Sequence, residues 1–331
     1  MPKVSVIIPC YNEEKTIGLL LDAIFCQSFP RTELEVVIAD GLSTDHTRQV
    51  IADFQRSHAE MAILVVDNSH KTIPSALNSA IRACRGETIV RLDANSVPAL
   101  DYVVRCVAAL DSGMGENVGG VWQIEPGGKG WIASSIAAAA AHPLGVGDAL
   151  YRFASRAGRV DTVPFGAFRR SLIDKVGYYD ETLLANEDYE FNTRVRQAGG
   201  IVWLDPAIRS VYFARPNLEA LARQYFRYGF WKYRMLKRYP ATLRWRQGLP
   251  PVFLLSLIVL VLLSIFWPPA RVGLVVEAGL YLSILLLAGL RLAQQRKDAR
   301  FIVGIPLSIA AMHLSWGGGF LVSVVESLLN V

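Results

Sequence analysis

Three polar residues follow short apolar runs in the first hundred positions: Asn12 after Val4 to Cys10, Asp40 after Glu35 to Ala39, and Asp93 after Ile89-Val90-Arg91-Leu92. A β-branched run closed by an acid or amide is what a buried parallel strand presents at its C-terminal lip, where open α/β sheets bind ligands. Asp93 carries the chemistry furthest. With Ala94 between them, Asp93 and Asn95 can share one hard divalent cation whose other ligands are diphosphate oxygens and water. The competing reading of each tip alone is a turn residue after a strand; recurrence on successive strands of one sheet points to a site. A second acidic group, Glu187-Asp188, opens a helix that continues through Val195 and stops at Gly199-Gly200. Carboxylates in a first turn interact with the helix dipole by about 0.3–1 kcal/mol, which by itself accounts for them.

The elements that must hold these residues follow from periodicity. Ile17, Leu20, Leu21 and Ile24 recur at helical spacing after the polar loop Tyr11-Asn12-Glu13-Glu14, and Ser43-Thr44-Asp45 is a capping signal for a helix through Val50 and Phe54. Met61 to Val66 reads as a third strand, Pro74 to Cys84 and Leu100 to Leu110 as helices, and Val118 to Ile124 as a short strand. Alternation at the interval of βαβ units predicts an α/β domain with a mostly parallel sheet covered by helices. No GxGxxG or Walker-type loop occurs in this half, which counts against nicotinamide cofactors and ATP-hydrolysing folds. The alanine-rich Trp131 to Ala141 is helical but too short to span a bilayer. Asp148 to Arg159, with Arg152, Arg156 and Arg159, reads either as a loop over the site or as a solvated loop. Small residues in Asp161 to Ala167 permit close approach of a sugar or backbone, and Arg169-Arg170 are expected to begin a helix closed by Gly177. A strand at Ile201 to Leu204 is expected to end in a turn at Asp205-Pro206.

The rest of the chain is a different solvent problem. Hydrophobic residues make up 52% and charged residues 19% of the 331 positions, with mean hydropathy +0.30, and the apolar excess lies after Gly248. Runs at Leu249–Trp267, Val272–Leu290 and Phe301–Val325 are each long enough to cross a hydrocarbon core of roughly 30 Å, the third interrupted by Pro306, His313 and Gly317-Gly318-Gly319. Before them, Leu218 to Leu236 is a basic helix with Tyr225, Phe226, Tyr228, Phe230 and Trp231 interleaved. That pattern suits an anionic leaflet or nucleic acid, and the adjoining membrane runs decide for the leaflet. The expected organisation is therefore a domain at 1–215, an interfacial segment at 216–248 and a membrane part at 249–331. Lys and Arg around 216–248 and 291–300 place both segments in the cytoplasm and the Pro268-Pro269 turn outside, with the last residues outside too if all three runs span. Net charge is +5, no basic-then-apolar leader precedes Val4, and the four cysteines lack metal-ligand spacing and read as buried free thiols.

Taken in order, Val6 to Glu14, Ala39 to Asp45, Asp93-Ala94-Asn95, Gly166 to Arg170, Asn186-Glu187-Asp188 and Gln224 to Gly229 resemble a family 2 glycosyltransferase with the GT-A fold. The chain is most similar to the membrane-attached, succinoglycan-biosynthesis type that extends lipid-linked saccharides in bacterial exopolysaccharide assembly. The resemblance covers the chain to about Tyr239. It implies that Pro9, Tyr11, Asn12, Glu13 and Asp40 surround the base and ribose of a nucleotide-sugar, most simply a UDP-sugar. Asp93 and Ala94 would lie along the donor, and Arg169, Gln224 and Arg227 near diphosphate and acceptor. Asp93 and Asn95 would hold Mg2+ or Mn2+. Asn95 stands where the family's Asp-x-Asp motif has a carboxylate, so metal affinity should rest more on the diphosphate. Asp188 matches the base that takes a proton from the acceptor hydroxyl in an inverting transfer, with Glu187 beside it. The implied acceptor is a polyprenyl-diphosphate saccharide at the inner membrane. The alternatives are a polyprenyl-phosphate sugar transferase, a processive synthase, whose Gln-x-x-Arg-Trp motif is here Gln224-Tyr225-Phe226-Arg227-Tyr228, and a non-catalytic glycan- or nucleotide-binding membrane protein.

Overall fold

The computed structural model describes residues 2–329. Its elements in chain order are β1 (Val4–Cys10), α1 (Ile17–Phe25), β2 (Leu34–Asp40), α2 (Thr47–Ser57), β3 (Ala62–Asp67), α3 (Ile73–Ala83), β4 (Thr88–Arg91), β5 (Ser96–Pro98), α4 (Tyr102–Asp111) and β6 (Asn117–Pro126). There follow α5 (Trp131–Ala140), α6 (Pro143–Val146), β7 (Gly158–Arg159), β8 (Ala167–Arg169), α7 (Ser171–Val176), α8 (Glu187–Gln197) and β9 (Val202–Ala214). The chain ends in α9 (Leu218–Arg238), α10 (Trp245–Leu263), α11 (Pro268–Arg296) and α12 (Phe301–Leu328).

β1 and β2 are buried along their whole length, and their alternation builds two layers. Val4, Val6, Ile8, Val36 and Ile38 meet Ile17, Leu20, Leu21 and Ile24 of α1 and Tyr102, Val103 and Cys106 of α4. Ile7, Val37 and Ala39 face the other way, onto Ala76, Leu77, Ala80 and Ile81 of α3 and Phe191 and Val195 of α8. Full burial of each such side chain is worth about 1.5–3 kcal/mol, which is why these strands read as continuous apolar runs.

Among the described residues the sheet has nine strands in the order β3-β2-β1-β4-β8-β6-β9-β5, with β7 on β9. It is parallel through β3, β2, β1 and β4, and β8 joins β4 antiparallel. Because Cys10 pairs with Asp40, Asp40 with Asp67, and Ile7 with Arg91, the four parallel strands end along one edge. Two local expectations change. Arg169 ends strand β8, and the helix begins only at Ser171. β9 runs through Asp205-Pro206 to Ala214: the Asp205 carboxylate accepts from Ala207 N at 2.8 Å, so the sequence signal there is a local bend inside a continuing strand.

The described residues fall into two compact units, one reaching from the start to Gln123 and including Leu150–Tyr212, the other made of Ile124–Ala149 and the residues from Phe213 on. The segment 124–149, inside the expected 1–215 span, thus clusters with the C-terminal helices. Its small residues explain this: Gly304 of α12 lies against Ser135 and Trp131 of α5, and Ile136, Ala137 and Ala139 share a core with Ile305, Ile309 and Met312. Arg152, in the first unit, is buried over the Trp122 ring at 5.1 Å instead of lying in a solvated loop. Of the four thiols, Cys26 alone is exposed; Cys10, Cys84 and Cys106 are buried. α10, α11 and α12 are each long and apolar enough to cross a membrane.

Candidate active site

The β1 and β2 tips form a hydrogen-bonded cradle. Asp40, fully buried at the end of β2, accepts from Ser43 N at 3.0 Å, Ser43 Oγ at 2.5 Å and Arg48 Nε at 2.5 Å. Arg48 also donates to Asp67 at 2.5 Å, tying the tips of β2 and β3 together. Asn12 adopts left-handed backbone (φ 54°), which Asn tolerates, and clamps the facing loop: its N–H donates to Ser43 Oγ at 2.9 Å and its Oδ1 accepts from Thr44 N at 2.8 Å. Glu13 N donates to Thr47 Oγ1 at 2.7 Å, while the Glu13 carboxylate accepts from Thr16 Oγ1 at 2.6 Å and starts α1. Pro9 is buried, and Tyr11 lies open at the edge with its ring against Gly41, where a Cβ would stand 3.1 Å from Tyr11 Cδ2.

The β4 tip is built on charge. Arg91, 1% exposed, turns its guanidinium onto three carboxylates: Asp93 at 3.0 Å, Glu187 at 3.0 Å, and Asp188. β4 supplies Arg91 and the turn after it supplies Asp93, whereas Glu187 and Asp188 come from the first turn of α8, so one cation joins segments 96 and 97 positions apart. One guanidinium cannot neutralise three acids. Burial pushes the Asp188 carboxyl up to about 8, Arg91 pulls the other way, and Glu187 and Asp93 add to the rise. Burial raises Asp93 as well, against the pull of Arg91. For Arg91 itself burial works to remove the charge, and Asp188, Asp93 and Glu187 outweigh it, so the guanidinium stays protonated. A carboxyl held near neutrality at the rim of a sheet can take up or release a proton in the range where hydroxyl chemistry needs it.

The structure therefore brings Asp93, Glu187 and Asp188 into one cluster, with Ala94 buried and Asn95 half-buried in the same turn. It does not bring Arg169 there. Thr88 pairs with Arg169, so the antiparallel register puts this side chain at the opposite end of β4, where it contacts Thr88 Oγ1 and Asp111. Gln224 and Arg227 lie on α9 in the second unit, where Gln224 Nε2 donates to Tyr228 Oη at 2.9 Å. Arg91 is the residue that sequence reasoning passed over as functional. The signal was present: a lone cation inside a strand whose neighbours Ile89, Val90 and Leu92 are buried needs a buried anionic partner.

For a metal, the donor set is sparse. Among the described residues no group of three or more His, Cys, Asp or Glu side chains could hold an ion, and Asp93 Oδ1 already accepts from Arg91 Nε at 3.0 Å. Asp93 and the neutral Asn95 fit a hard cation that takes most of its ligands from a bound diphosphate and water, and do not make a cage from protein alone.

A mixed sheet with polar tips along one edge and an acid pair opening a helix beside β4 defines the GT-A glycosyltransferase fold. The mannosyltransferase PcManGT from Pyrobaculum calidifontis, solved with GDP-Man and Mn2+, matches at TM-score 0.61 and 19% identity over 99% of this chain and 88% of its own. Residues 1–349 of TarS from S. aureus, solved with UDP, match at TM-score 0.51 and 17% identity over 93% and 90%. The chain belongs to Glycosyl transferase family 2, whose signature matches residues 5–177. Among its relatives are the dolichyl N-acetyl-alpha-D-glucosaminyl phosphate 3-beta-D-2,3-diacetamido-2,3-dideoxy-beta-D-glucuronosyltransferase of Methanococcus voltae, 25% identical over 98% of this chain and 97% of that protein, and the succinoglycan biosynthesis protein ExoA of Rhizobium meliloti, 28% identical over 95% and 93%.

Proposed function

We propose that this chain is an inverting, metal-assisted transferase that moves one sugar from a nucleotide-diphospho-sugar, a UDP-hexose, to a polyprenyl-diphosphate-linked saccharide at the cytoplasmic face of a bacterial inner membrane. The observation that carries the reading is the cluster of Arg91, Asp93, Glu187 and Asp188 at the edge where the parallel strands end. The Asn12 and Asp40 cradle receives base and ribose. The donor runs past Ala94, and its sugar reaches Asp188. Asp188 accepts the proton of the acceptor hydroxyl as that oxygen attacks the anomeric carbon; a single displacement needs one such carboxylate and no covalent intermediate. Arg91 positions Asp188 against β4, and Glu187 anchors the other side of the guanidinium. Asp93 and Asn95, together with the donor's phosphates, would hold Mg2+ or Mn2+, which when bound would supply positive charge for the departing nucleoside diphosphate.

One relative supports a lipid-linked acceptor by a name that specifies a dolichyl sugar phosphate, and another, named for succinoglycan biosynthesis, supports a role in polysaccharide synthesis. Offering polyprenyl phosphate, polyprenyl monophosphate-sugar and polyprenyl diphosphate-sugar as competing acceptors separates the chemistries, with the last expected to be used fastest. The base assignment is tested by Asp188→Asn: transfer should fall by about 10^3–10^4-fold while donor affinity by calorimetry stays within about threefold. Parallel loss of binding and turnover removes Asp188 from that role.

A further inference from the structure

The three long C-terminal helices are not alike. α10 and α11 pair as an antiparallel hairpin: Ser256 donates to Glu277, the Phe253 and Tyr281 rings lie 4.4 Å apart, and Leu260 lies against Gly273. Most of their large apolar side chains face outward, Val252 of α10 exposed by 63% and Val275 of α11 by 71%, which is the surface of a hairpin solvated by lipid. α12 approaches this hairpin at its base. Gly289 of α11 backs onto the main chain at Phe301 and Ile302, His313 Nδ1 and Tyr281 Oη are 3.0 Å apart, and Gly317 lies against Pro250 at the start of α10.

Beyond that crossing, α12 runs along α9. Gly229 of α9 packs on the backbone at Trp316, Gly319 of α12 on the backbone at Phe226, and Tyr233 meets Phe320 edge-on at 5.3 Å. Arg234 pairs with Glu326 at 2.8 Å, and Lys237 Nζ donates to Ser327 Oγ at 2.7 Å. α9 carries Arg223, Arg227, Lys232, Arg234, Lys237 and Arg238. Each Lys or Arg held at the centre of a bilayer costs about 2.5–3.5 kcal/mol or more, so α9 cannot accompany the second half of α12 through hydrocarbon. Consistent with this, a third of α12's most apolar window (33%) is covered by protein, against 6% for α10.

We infer that α10 and α11 cross the bilayer as one hairpin and that α12 does not cross. α9 and the second half of α12 together form a platform in the headgroup layer, and its partner is an anionic lipid surface. Exposed Arg223, Arg227, Lys237 and Arg238 meet lipid phosphates, and exposed Val322, Val325 and Leu328 enter the acyl boundary. Leu329 then lies on the same side of the membrane as α9, and the turn at Trp267 on the other. This holds whichever sugar or acceptor the protein uses.

Site-directed cysteine labelling of the full chain in spheroplasts tests it, the three other native thiols, Cys10, Cys84 and Cys106, being buried. In a Cys26→Ser background, which removes the exposed native thiol, Trp267→Cys and Leu329→Cys are treated with a membrane-impermeant maleimide before and after permeabilisation. Trp267→Cys should label in intact spheroplasts and Leu329→Cys only after they are opened. Labelling of both from outside, or of neither, overturns the single-hairpin topology. Phe266→Cys and Leu328→Cys give the same readout if either first variant fails to accumulate.

Discussion

Asp40 and Asp188 are carboxylates at the polar edge of one sheet, and their surroundings differ in kind. Asp40 is fully buried and answered locally, by Ser43 three positions on and Arg48 eight positions on, with Asn12 and Thr44 closing the loop around it. Asp188 shares a single guanidinium with two other acids and is pushed up to about 8. The first arrangement fixes a shape before any ligand arrives. The second leaves negative charge undercompensated, which suits a place where a cation, a proton and a leaving diphosphate must be exchanged. On the proposed reading the first is a donor cradle at the tips of β1 and β2 and the second a reacting centre where α8 meets the tip of β4, and substitutions on each side should have separable effects.

The largest separation should come from Arg91→Ala. It leaves three partly buried carboxylates without their cation; breaking a fully buried pair from one side costs about 3–5 kcal/mol, an upper bound here, so thermal unfolding should shift down by several degrees and kcat should fall at least about 100-fold. Arg91→Lys restores charge without the planar fork. It should recover most of the stability and only part of kcat; full recovery of both would reduce Arg91 to a counter-charge. Next in size is pH. A base whose pKa is raised is protonated below it, so kcat/KM should climb about tenfold per unit and level off near 8, and Asp188→Asn should abolish the climb. The stability sign is opposite to that of an ordinary paired acid. Between about 4 and 8 the folded chain holds a proton that the unfolded chain has released, so this group's contribution to stability declines as pH rises through that window, as denaturant midpoints would record.

On the cradle side, Asp40→Ala should raise donor KM by about ten- to a hundredfold with kcat within about threefold, the pattern of lost uniform binding. An equal loss in kcat would merge the two regions functionally. The smallest effect is expected from Asn95→Asp. Restoring a charged ligand should lower the Mn2+ concentration for half-maximal rate by about three- to tenfold, and an unchanged requirement would take residue 95 out of the metal's reach.

Much of this was legible in the chain itself, and what was not has identifiable reasons. The inner parallel strands β1, β2 and β4 announce themselves because they are buried on both faces, and their tips follow once βαβ alternation is recognised. The first turn of α8 is legible from Asn186-Glu187-Asp188 and its closing glycines. The Arg91 cluster is not, because a contact across about a hundred positions leaves no periodic trace; only the oddity of a cation in an apolar strand hints at it. Arg169 was misplaced because the direction of β8 decides which end of β4 it meets, and a three-residue strand carries no direction in its sequence. Pro206 reads as a breaker, yet the strand accommodates it with an Asp205-capped bend. Hydropathy registers α12 as long and apolar enough to span, but not the glycines that bring a basic helix against it.

The most direct test is the structure of the protein with an unreactive nucleotide-sugar and Mn2+ bound. The expected result has the base against Asn12 and Asp40, the diphosphate and metal at Asp93 and Asn95, and the anomeric carbon facing Asp188 with room for a hydroxyl between them. A sugar bound elsewhere, with Asp188 still closed under Arg91 and no path for an acceptor to reach it, would contradict the assignment of the acid cluster as the reacting centre.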